Sequence, residues 1–501
     1  MHGKAIMIQG TMSNVGKSLI TAGLCRIFYQ DGYRVAPFKS QNMALNSYIT
    51  REGLEMGRAQ AVQAEAAGVE PVAAMNPILL KPTTDMGSQV IVNGRVFGNM
   101  RAVEYFRKKR EFVPVIRDAY EGLAATHDII VIEGAGSPAE INLKQDDIVN
   151  MGMAQIADAP VILVGDIDRG GVFAQLVGTV MLLTQEERDR IGGLVINKFR
   201  GDRSLLTPGL SMLEERCGKP VLGVVPYLDV KLEEEDSLGD SLLQSVGGNG
   251  VDVAVIRLPR ISNYTDFQPL SMEPEVSLRY VSSVRELGTP DLILLPGTKN
   301  TICDMKWLRE SGFEAALLRL AGQSPERAPL IFGICGGYQM LGQTIRDPEG
   351  VEGGGEIAGL GLLPIDTCLQ TVKTRRQARG NTLKLPGVYQ KLSGLPVCGY
   401  EIHMGKTVRH GKDLLELSGE EGERQPEGCF SGNVAGSYLH GIFDSDAFRS
   451  ALVELLCRRK GLDPDGERQN YSAWKEREYE RLAACLREHL ELDLIYRMLN
   501  Q

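Results

Sequence analysis

Hydrophobic positions along the chain form short apolar runs that alternate with longer segments of helical period. Residues 4–9 (KAIMIQ) have the pattern of a buried strand, and residues 16–30 have that of the helix after it. Further apolar runs lie at 34–39, 128–134, 160–166, 192–197 and 221–226. Strands buried on both faces and separated by helices predict an α/β domain with a doubly wound parallel sheet.

A second series of the same kind follows a change in composition. Residues 230–250 are acidic and then rich in serine and glycine, which is typical of a linker. Apolar runs recur at 251–258, 275–281, 291–297 and 329–337. They predict a second α/β domain with a doubly wound parallel sheet.

Beyond residue 450 the pattern becomes helical. Apolar side chains follow at steps of three or four residues, at Tyr479, Leu482, Leu486, Leu490 and Leu494. We therefore expect four segments in chain order. These are a domain at 1–229, a linker at 230–250, a domain at 251–450 and a helical C-terminal extension at 451–501.

Composition excludes several classes of protein. The chain has 501 residues and a formal charge of −9, which is not the basic balance of a nucleic-acid binder. No apolar run approaches the ~18 residues of a membrane span, and MHGKAIMIQG lacks the apolar core of a secretion signal. The nine cysteines form no CxxC pair, which favours a reducing compartment. We expect a cytoplasmic protein without membrane or nucleic-acid partners, and its oligomeric state stays open.

Glycine-rich sequence between the first strand and the first helix predicts a phosphate site. Gly10 and Thr11 open the stretch GTMSNVGKS, and Gly16, Lys17 and Ser18 close it. Backbone N–H groups at such a junction bind the phosphates of ATP, the lysine reaches their outer oxygens, and the serine binds Mg²⁺. Five residues separate the two glycines, and this long form resembles the loop of dethiobiotin synthetase and its relatives. An ordinary glycine-rich turn is the alternative.

Two further strand ends supply polar groups for this site. Glu133 ends the run DIIVIE and precedes GAG, so its carboxylate is a second candidate Mg²⁺ ligand. The EGAG sequence also resembles the dethiobiotin synthetase group, although a plain strand-end turn is the alternative. Asn197 ends another run, where its amide either reads adenine or caps a turn.

The run LIFGICGG predicts a nucleophile at a sharp strand-to-helix turn. Cys335 lies between small residues, and the N–H of Gly336 points toward the position of a reaction oxyanion. Gly297, in the turn LLPGTKN, is a candidate for the second N–H of an oxyanion hole, and His440, in SYLHG, is a candidate general base. A buried inert thiol and a structural histidine are the alternatives.

Cys335, the Pro-Gly turn and the later YLHG together resemble class I glutamine amidotransferase domains. Many of those domains carry an acidic residue two positions after the histidine, where this chain has Ile442. That absence is typical of the cobyrinate-amidating branch of the superfamily. Either Glu401, Asp444 or Asp446 orients the imidazole, or the site is a Cys–His dyad.

Motifs in both halves together resemble the cobyric acid synthase family. They are FKSQNMALNS (38–47), VGDIDRGGVFA (164–174), NKFRGD (197–202), LPRISNYTDFQPL (258–270), LPGTKNT (295–301), GYEIHMG (399–405) and SYLHGIFD (437–444). The resemblance implies an amide ligase of cobalamin biosynthesis that uses ATP and Mg²⁺. It implies amidation of the b, d, e and g carboxylates of adenosylcobyrinic acid a,c-diamide, with ammonia from glutamine.

Five polar or charged residues are candidates for binding the corrin. The candidates are Lys39, Gln41 and Asn42 beyond the second strand, Asp146 after the EGAG loop, and Arg169. For Asp146 and its neighbour Asp147, a solvated helix start is the alternative.

Two rival functions stay open. One is cobyrinate a,c-diamide synthase, which shares both domains. The motifs FKSQNMALNS and LPRISNYTDFQPL favour the cobyric acid synthase family over it. The other is a ParA-like ATPase switch with an inactive glutaminase domain.

Overall fold

The computed structural model describes residues 3–84, 87–232, 250–418, 423–463 and 469–500. Most of the predicted linker, residues 233–249, lies outside this description. The chain divides into two compact units. The first comprises Met1–Ala44, Glu55–Glu235 and Lys475–Gln501, and the second comprises Leu45–Leu54 and Asp236–Trp474.

Residues 3–232 alternate strands with helices, as the apolar runs predict. The strands are β1 (Lys4–Gly10), β2 (Val35–Phe38), β3 (Gln41–Met43), β4 (Ser47–Ile49), β5 (Glu55–Gly57), β6 (Ile78–Thr84), β7 (Gly87–Val92), β8 (Arg95–Arg101), β9 (Ile129–Glu133), β10 (Val161–Asp166), β11 (Ile191–Phe199) and β12 (Val221–Pro226). The helices are α1 (Lys17–Gln30), α2 (Arg58–Ala66), α3 (Ala102–Lys108), α4 (Val113–Ala124), α5 (Met151–Ile156), α6 (Val172–Leu182), α7 (Gln185–Arg190) and α8 (Thr207–Cys217).

Residues 250–500 repeat the alternation and end in helices. The strands are β13 (Val251–Ile256), β14 (Ile261–Ser262), β15 (Val276–Val281), β16 (Leu292–Leu295), β17 (Gly297–Thr298), β18 (Leu330–Ile334), β19 (Thr344–Asp347), β20 (Gly355–Ala358), β21 (Ile365–Thr382), β22 (Pro396–Arg409), β23 (Leu415–Ser418), β24 (Arg424–Glu427), β25 (Cys429–Ser431), β26 (Val434–Ser437) and β27 (Leu439–His440). The helices are α9 (Val284–Leu287), α10 (Thr301–Glu310), α11 (Phe313–Ala321), α12 (Gly336–Met340), α13 (Asp446–Lys460), α14 (Tyr471–His489) and α15 (Leu492–Leu499). Within the described ranges, none of these helices is long and apolar enough to cross a membrane.

The first unit is built on a six-stranded sheet in the order β12-β11-β10-β1-β9-β2, and every pairing in it is parallel. This confirms the α/β prediction for the N-terminal half. Strands β1 and β9 are buried almost throughout, because each has neighbours on both sides in the sheet and helices on its faces. A smaller sheet in the order β3-β6-β7-β8 is inserted between β2 and β9, and the apolar runs do not predict it.

The second unit has its own six-stranded sheet in the order β15-β13-β16-β18-β26-β25. Its pairings are parallel except the last, in which β25 runs antiparallel to β26. The prediction of a second parallel-sheet domain is therefore confirmed. A further mixed sheet, with the path β20-β19-β21-β22-β27, carries His440 on its last strand.

Neither unit is one continuous stretch, so the compact units differ from the four expected segments in two places. The C-terminal residues from Lys475 onward group with the first unit, because the apolar stripe of α14 packs on α1. A Cβ on Gly23 in α1 would lie only 2.2 Å from Cδ1 of Leu486. The short segment Leu45–Leu54 groups with the second unit, where Ile49 packs against Tyr400 and Ile402.

Candidate active sites

Cys335 occupies a strained turn between a buried strand and a short helix. Strand β18 ends at Ile334 and α12 begins at Gly336, which leaves Cys335 alone at the junction with φ 53° and ψ −109°. Positive φ is uncommon for a residue with a side chain, and such strain is typical of nucleophile turns. The Cys335 N–H donates to the Ser437 carbonyl at 2.9 Å, and Sγ lies 3.5 Å from the Ile402 carbonyl oxygen.

The turn closes because its neighbours are glycines. A Cβ on Gly337 would lie 2.0 Å from the Leu295 carbonyl oxygen, and one on Gly336 would lie 3.0 Å from the Thr298 nitrogen. Gly297 is just before Thr298, and a Cβ there would lie 3.3 Å from Cε1 of His440. The structure therefore brings together the four elements that the sequence predicts: the cysteine, the histidine, and the Gly336 and Gly297 backbone.

His440 is oriented by a carboxylate that the sequence analysis does not single out. Nδ1 lies 2.7 Å from Oδ2 of Asp266, and Oδ1 of Asp266 accepts the Gly441 N–H at 3.0 Å. Both side chains are buried, with 1% and 3% of their surface exposed. Nε2 has no hydrogen-bond partner of good geometry among the described residues.

Asp266 also sets the protonation of the ring. Burial acts to lower the pKa of the His440 imidazole. The charge and hydrogen bond of Asp266, together with the neighbouring Cys335, outweigh burial and raise that pKa to about 10. The imidazole is therefore held in its charged form at neutral pH, and this charge favours the ionised form of the neighbouring Cys335 side chain.

The acidic residues that the sequence suggests as orienters have other partners. Glu401 pairs with Arg376, and Asp446 accepts a hydrogen bond from Arg449 at 2.7 Å. Asp444 lies beside Gly441, where its Oδ2 would be 3.3 Å from an added Cβ. The carboxylate that bonds Nδ1 of His440 is that of Asp266.

A second buried carboxylate supports the strand that leads to His440. Glu427 accepts a hydrogen bond from the Ser437 hydroxyl at 2.5 Å and one from the Tyr438 N–H at 2.7 Å. Burial raises the pKa of Glu427 to about 7, and the nearby charge of Glu401 adds to this rise. Its two bonds fix the backbone that also receives the Cys335 N–H.

The predicted phosphate loop lies between β1 and α1 in the first unit. Lys17 Nζ donates to the carbonyl of Met12 at 2.9 Å and to that of Gly136 at 3.3 Å, so its ammonium points into the loop. Gly16 has φ 94°, and a Cβ there would lie 2.2 Å from the Asn197 amide nitrogen. That nitrogen donates to the Val15 carbonyl at 2.8 Å, so Asn197 braces the loop itself.

Glu133 is the centre of a buried polar cluster beside the loop. Its Oε1 accepts hydrogen bonds from the Ser18 hydroxyl at 2.8 Å and from Lys39 Nζ at 3.0 Å. Its Oε2 accepts one from the Gln63 amide at 2.6 Å. A hydroxyl and a carboxylate at this distance are the hard oxygen ligands that Mg²⁺ prefers, so the residues fit that ion. Ser18, Glu133 and Lys39 are predicted site residues, whereas Gln63 is not among them.

The other expected substrate residues make contacts within the first unit. Gln41 accepts a hydrogen bond from the Tyr105 hydroxyl at 2.6 Å, and Asn42 donates one to Gln60 at 2.9 Å. Asn42 is buried, whereas Gln41 is half-buried.

Two more of those candidates lie on loops. Asp146 pairs with Arg110, and Arg169 is exposed just before α6. The neighbouring Asp147 accepts the backbone N–H groups of Val149, Asn150 and Gly152. Asp147 therefore caps backbone N–H groups just before and within the first turn of α5, and it is half-buried.

Comparison with known proteins identifies a domain in each half of the chain. Residues 6–239 match the family model of a CobQ/CobB/MinD/ParA nucleotide binding domain, and residues 252–448 match that of a CobB/CobQ-like glutamine amidotransferase domain. A cobyric acid synthase of Lachnoclostridium phytofermentans is 55% identical over 99% of both chains. One of Ruminiclostridium cellulolyticum is 53% identical over 99% of this chain and 97% of its own.

The chain belongs to the cobyric acid synthase family. The resemblance that the motifs indicate is therefore confirmed, and so is the assignment as a glutamine-dependent amidating ligase. A cobyric acid synthase of Yersinia enterocolitica is 51% identical over 99% of this chain and 98% of its own.

Two residues at these sites, Asp266 and Gln63, were not predicted from the sequence of this cobyric acid synthase homologue. Asp266 does lie inside LPRISNYTDFQPL, one of the motifs on which the resemblance rests. The motif indicated that this region matters but not that Asp266 orients His440. Gln63 is in α2, and no short motif marks it.

Proposed function

We propose that this protein amidates the b, d, e and g carboxylates of adenosylcobyrinic acid a,c-diamide, using one glutamine and one ATP in each round. The observation that carries the proposal is the arrangement of Cys335, His440 and Asp266, with its 2.7 Å His–Asp bond, in a chain that also has a P-loop. A glutaminase supplies ammonia, and a phosphoryl-transfer site converts a carboxylate into an acceptor for it.

The glutaminase half begins from a thiolate on Cys335 beside the His440 imidazolium. The high pKa of the imidazole favours the thiolate–imidazolium pair, and the α12 N-terminus adds to this preference. The thiolate attacks the side-chain amide carbon of glutamine, and the carbonyl oxygen becomes an oxyanion. The N–H groups of Gly336 and Gly297 stabilise that oxyanion.

Collapse of the tetrahedral intermediate breaks the C–N bond. His440 returns its proton to the leaving nitrogen, and the products are ammonia and a thioester on Cys335. Water then attacks the thioester with His440 as base, which releases glutamate and the thiolate. Asp266 stabilises the imidazolium each time that it forms, because its carboxylate bonds Nδ1.

The synthetase half activates the corrin carboxylate. A carboxylate oxygen attacks the γ-phosphorus of ATP, ADP leaves, and an acyl phosphate forms. Ammonia attacks its carbonyl carbon, and phosphate leaves as the amide forms. Lys17, with its ammonium aimed into the loop, stabilises the charge that develops on the phosphoryl oxygens.

Ser18 and Glu133 would hold Mg²⁺, which when bound neutralises phosphate charge. Lys39 contributes a second cation beside the same carboxylate. These three side chains meet where β1, β2 and β9 end, which is the edge at which parallel sheets bind ligands.

A test of the glutaminase role compares two cysteine variants. Cys335→Ser is expected to lose glutamine-dependent amidation but to keep amidation with added ammonium. The matched control is Cys429→Ser, at a buried thiol in the same unit whose pKa burial raises to about 11. The control should keep both routes. Retention of glutamine-dependent activity by Cys335→Ser would overturn the nucleophile assignment.

A second pair of variants tests the ATP site and the substrate. Lys17→Ala should lose both the glutamine and the ammonium routes. Its control, Lys219→Ala, changes a lysine before β12, an edge strand that β11 and β10 separate from β1. Mass spectrometry should show four added amides on the a,c-diamide. Amidation of cobyrinic acid but not of the a,c-diamide would favour a cobyrinate a,c-diamide synthase instead, and ATP-dependent association without glutamine turnover would favour a switch.

A further inference from the structure

Two side chains besides Asp266 border the His440 ring. Tyr400 stacks on it with 5.2 Å between ring centroids and 14° between the planes. Tyr400 is also directly opposite His440 in the β22–β27 pair. The amide nitrogen of Asn263 lies 3.5 Å from Nδ1. The ring is therefore bounded on one face by the tyrosine and at the Nδ1 edge by an amide and a carboxylate.

Both of these neighbours are tied to the backbone of one residue, Ser47. The Ser47 N–H donates to Oδ1 of Asn263 at 3.0 Å, and the Tyr400 hydroxyl donates to the Ser47 carbonyl at 3.1 Å. All three residues are at least 95% buried, so water does not compete for these bonds. Asn263 has φ 50°, an uncommon conformation that the bond at its side chain helps to fix.

Ser47 comes from a part of the chain far from the rest of this site. It precedes Tyr400 by 353 positions and belongs to the segment Leu45–Leu54. Residues on both sides of that segment belong to the first unit. The segment has a further anchor in the second unit, because the Gln377 amide donates to the Ile49 carbonyl.

We propose that Tyr400 and Asn263 are positioning residues for His440, and that the Ser47 backbone fixes both of them. The segment Leu45–Leu54 thereby completes the glutaminase site with main-chain groups. This inference rests on the proposed role of His440 as the base. Displacements of about 1 Å at such a site change rates strongly, so support of the ring neighbours matters for turnover more than for substrate binding.

The first test is Tyr400→Phe, which keeps the stacked ring and removes the hydroxyl that donates to the Ser47 carbonyl. We expect kcat for glutamine to fall roughly 3- to 10-fold, the effect of losing one buried hydrogen bond, with KM changed by no more than about two-fold. The matched control is Tyr389→Phe, whose buried hydroxyl donates to the Asn433 carbonyl at 2.7 Å in the same unit. A purely structural role predicts the same kinetics for both variants.

The second test is Asn263→Gly, which tolerates the positive φ and removes the amide. Its control is Asn93→Gly, at an exposed turn residue with φ 45°. Asn263→Gly should lower kcat and displace the pH profile of kcat/KM, because Asp266 and Cys335, the ionisable groups at the ring, then act on a less restrained imidazole. Asn93→Gly should match wild type in both.

Ammonium-dependent amidation separates this inference from the proposed function. Both site variants should keep that route at wild-type rates, since the ATP site is unchanged. Equal glutamine kcat values in Tyr400→Phe and Tyr389→Phe, together with an unshifted profile in Asn263→Gly, would overturn the positioning role. The proposed function itself would stand in that case, as long as Cys335→Ser still blocks the glutamine route alone.

Discussion

Replacing Asp266 with asparagine tests the orientation of His440 most directly. The amide is close in size to the carboxylate, but it removes the negative charge beside Nδ1. Both groups are almost fully buried and 2.7 Å apart, so water does not screen their interaction. Asp266→Asn should therefore leave the fold intact and change the protonation and orientation of the ring.

The size of the effect follows from the bond that is lost. A hydrogen bond to a charged group contributes roughly 1.5–3 kcal/mol, and about 1.4 kcal/mol corresponds to a tenfold change in rate. We therefore expect kcat for glutamine to fall roughly 10- to 150-fold. The pKa of His440, about 10 in the wild type, should fall because burial then acts with less opposition.

Stability gives an independent readout with a definite sign. The folded pKa of His440 lies above its ordinary value of 6.5, so its contribution to stability is complete below pH 6.5 and is lost as pH rises toward about 10. Asp266→Asn removes much of that contribution. The difference in unfolding free energy between wild type and variant should be largest near pH 6 and shrink toward pH 10.

The assay measures glutamate release and urea unfolding across this pH range. Asp446→Asn is the control, because that aspartate bonds Arg449 and Tyr471 in the same unit. It should keep glutamine turnover within about two-fold of wild type. If Asp266→Asn also stays within that limit, or if its stability difference does not vary with pH, the orientation argument is refuted.

Three further substitutions test other parts of the structure. Arg449→Leu leaves the carboxylate of Glu273 buried without its 2.6 Å partner and should destabilise the protein by about 3–5 kcal/mol in urea unfolding. Leu486→Ala opens a cavity where α14 packs on α1 and should destabilise it by about 2–5 kcal/mol, while Leu318→Ala, at an exposed leucine, should have little effect in the same measurement. Gly337→Ala places a Cβ against a backbone carbonyl and should abolish glutaminase activity, whereas Gly322→Ala, at a helix end with more room, should preserve it.

Local pattern was sufficient for the two sheets and for the main chemical groups. Runs such as 128–134 and 329–337 predicted buried strands that became β9 and β18, because a parallel strand is apolar on both faces whatever its partner. Cys335 and the P-loop were found in the same way, since each is a short motif at a strand-to-helix junction. The structure adds the backbone geometry that the motif only implies.

Pairings between distant residues were beyond this reasoning. Asp266 and His440 are 174 positions apart, and nothing in either local sequence states that they meet. The segment Leu45–Leu54 resembles a continuation of the first domain in sequence, yet its Ile49 packs against Tyr400 and Ile402 of the second unit. The long β21–β22 hairpin was not predicted for another reason: much of β21 is polar and half-exposed, so no apolar run marks it.

The source of the orienting carboxylate can be understood from the turn after His440. Ile442 is fully buried and begins a 3-10 turn with Phe443, which packs 6.1 Å from the Phe267 ring. An acidic side chain at 442 would enter this apolar cluster without a partner, at high cost. The 3-10 helix that carries Phe267 instead brings its neighbour Asp266 to Nδ1. Asp266 therefore supplies the carboxylate that position 442 cannot supply from within an apolar cluster. For the same reason, Ile442→Glu should not restore activity to the Asp266→Asn variant.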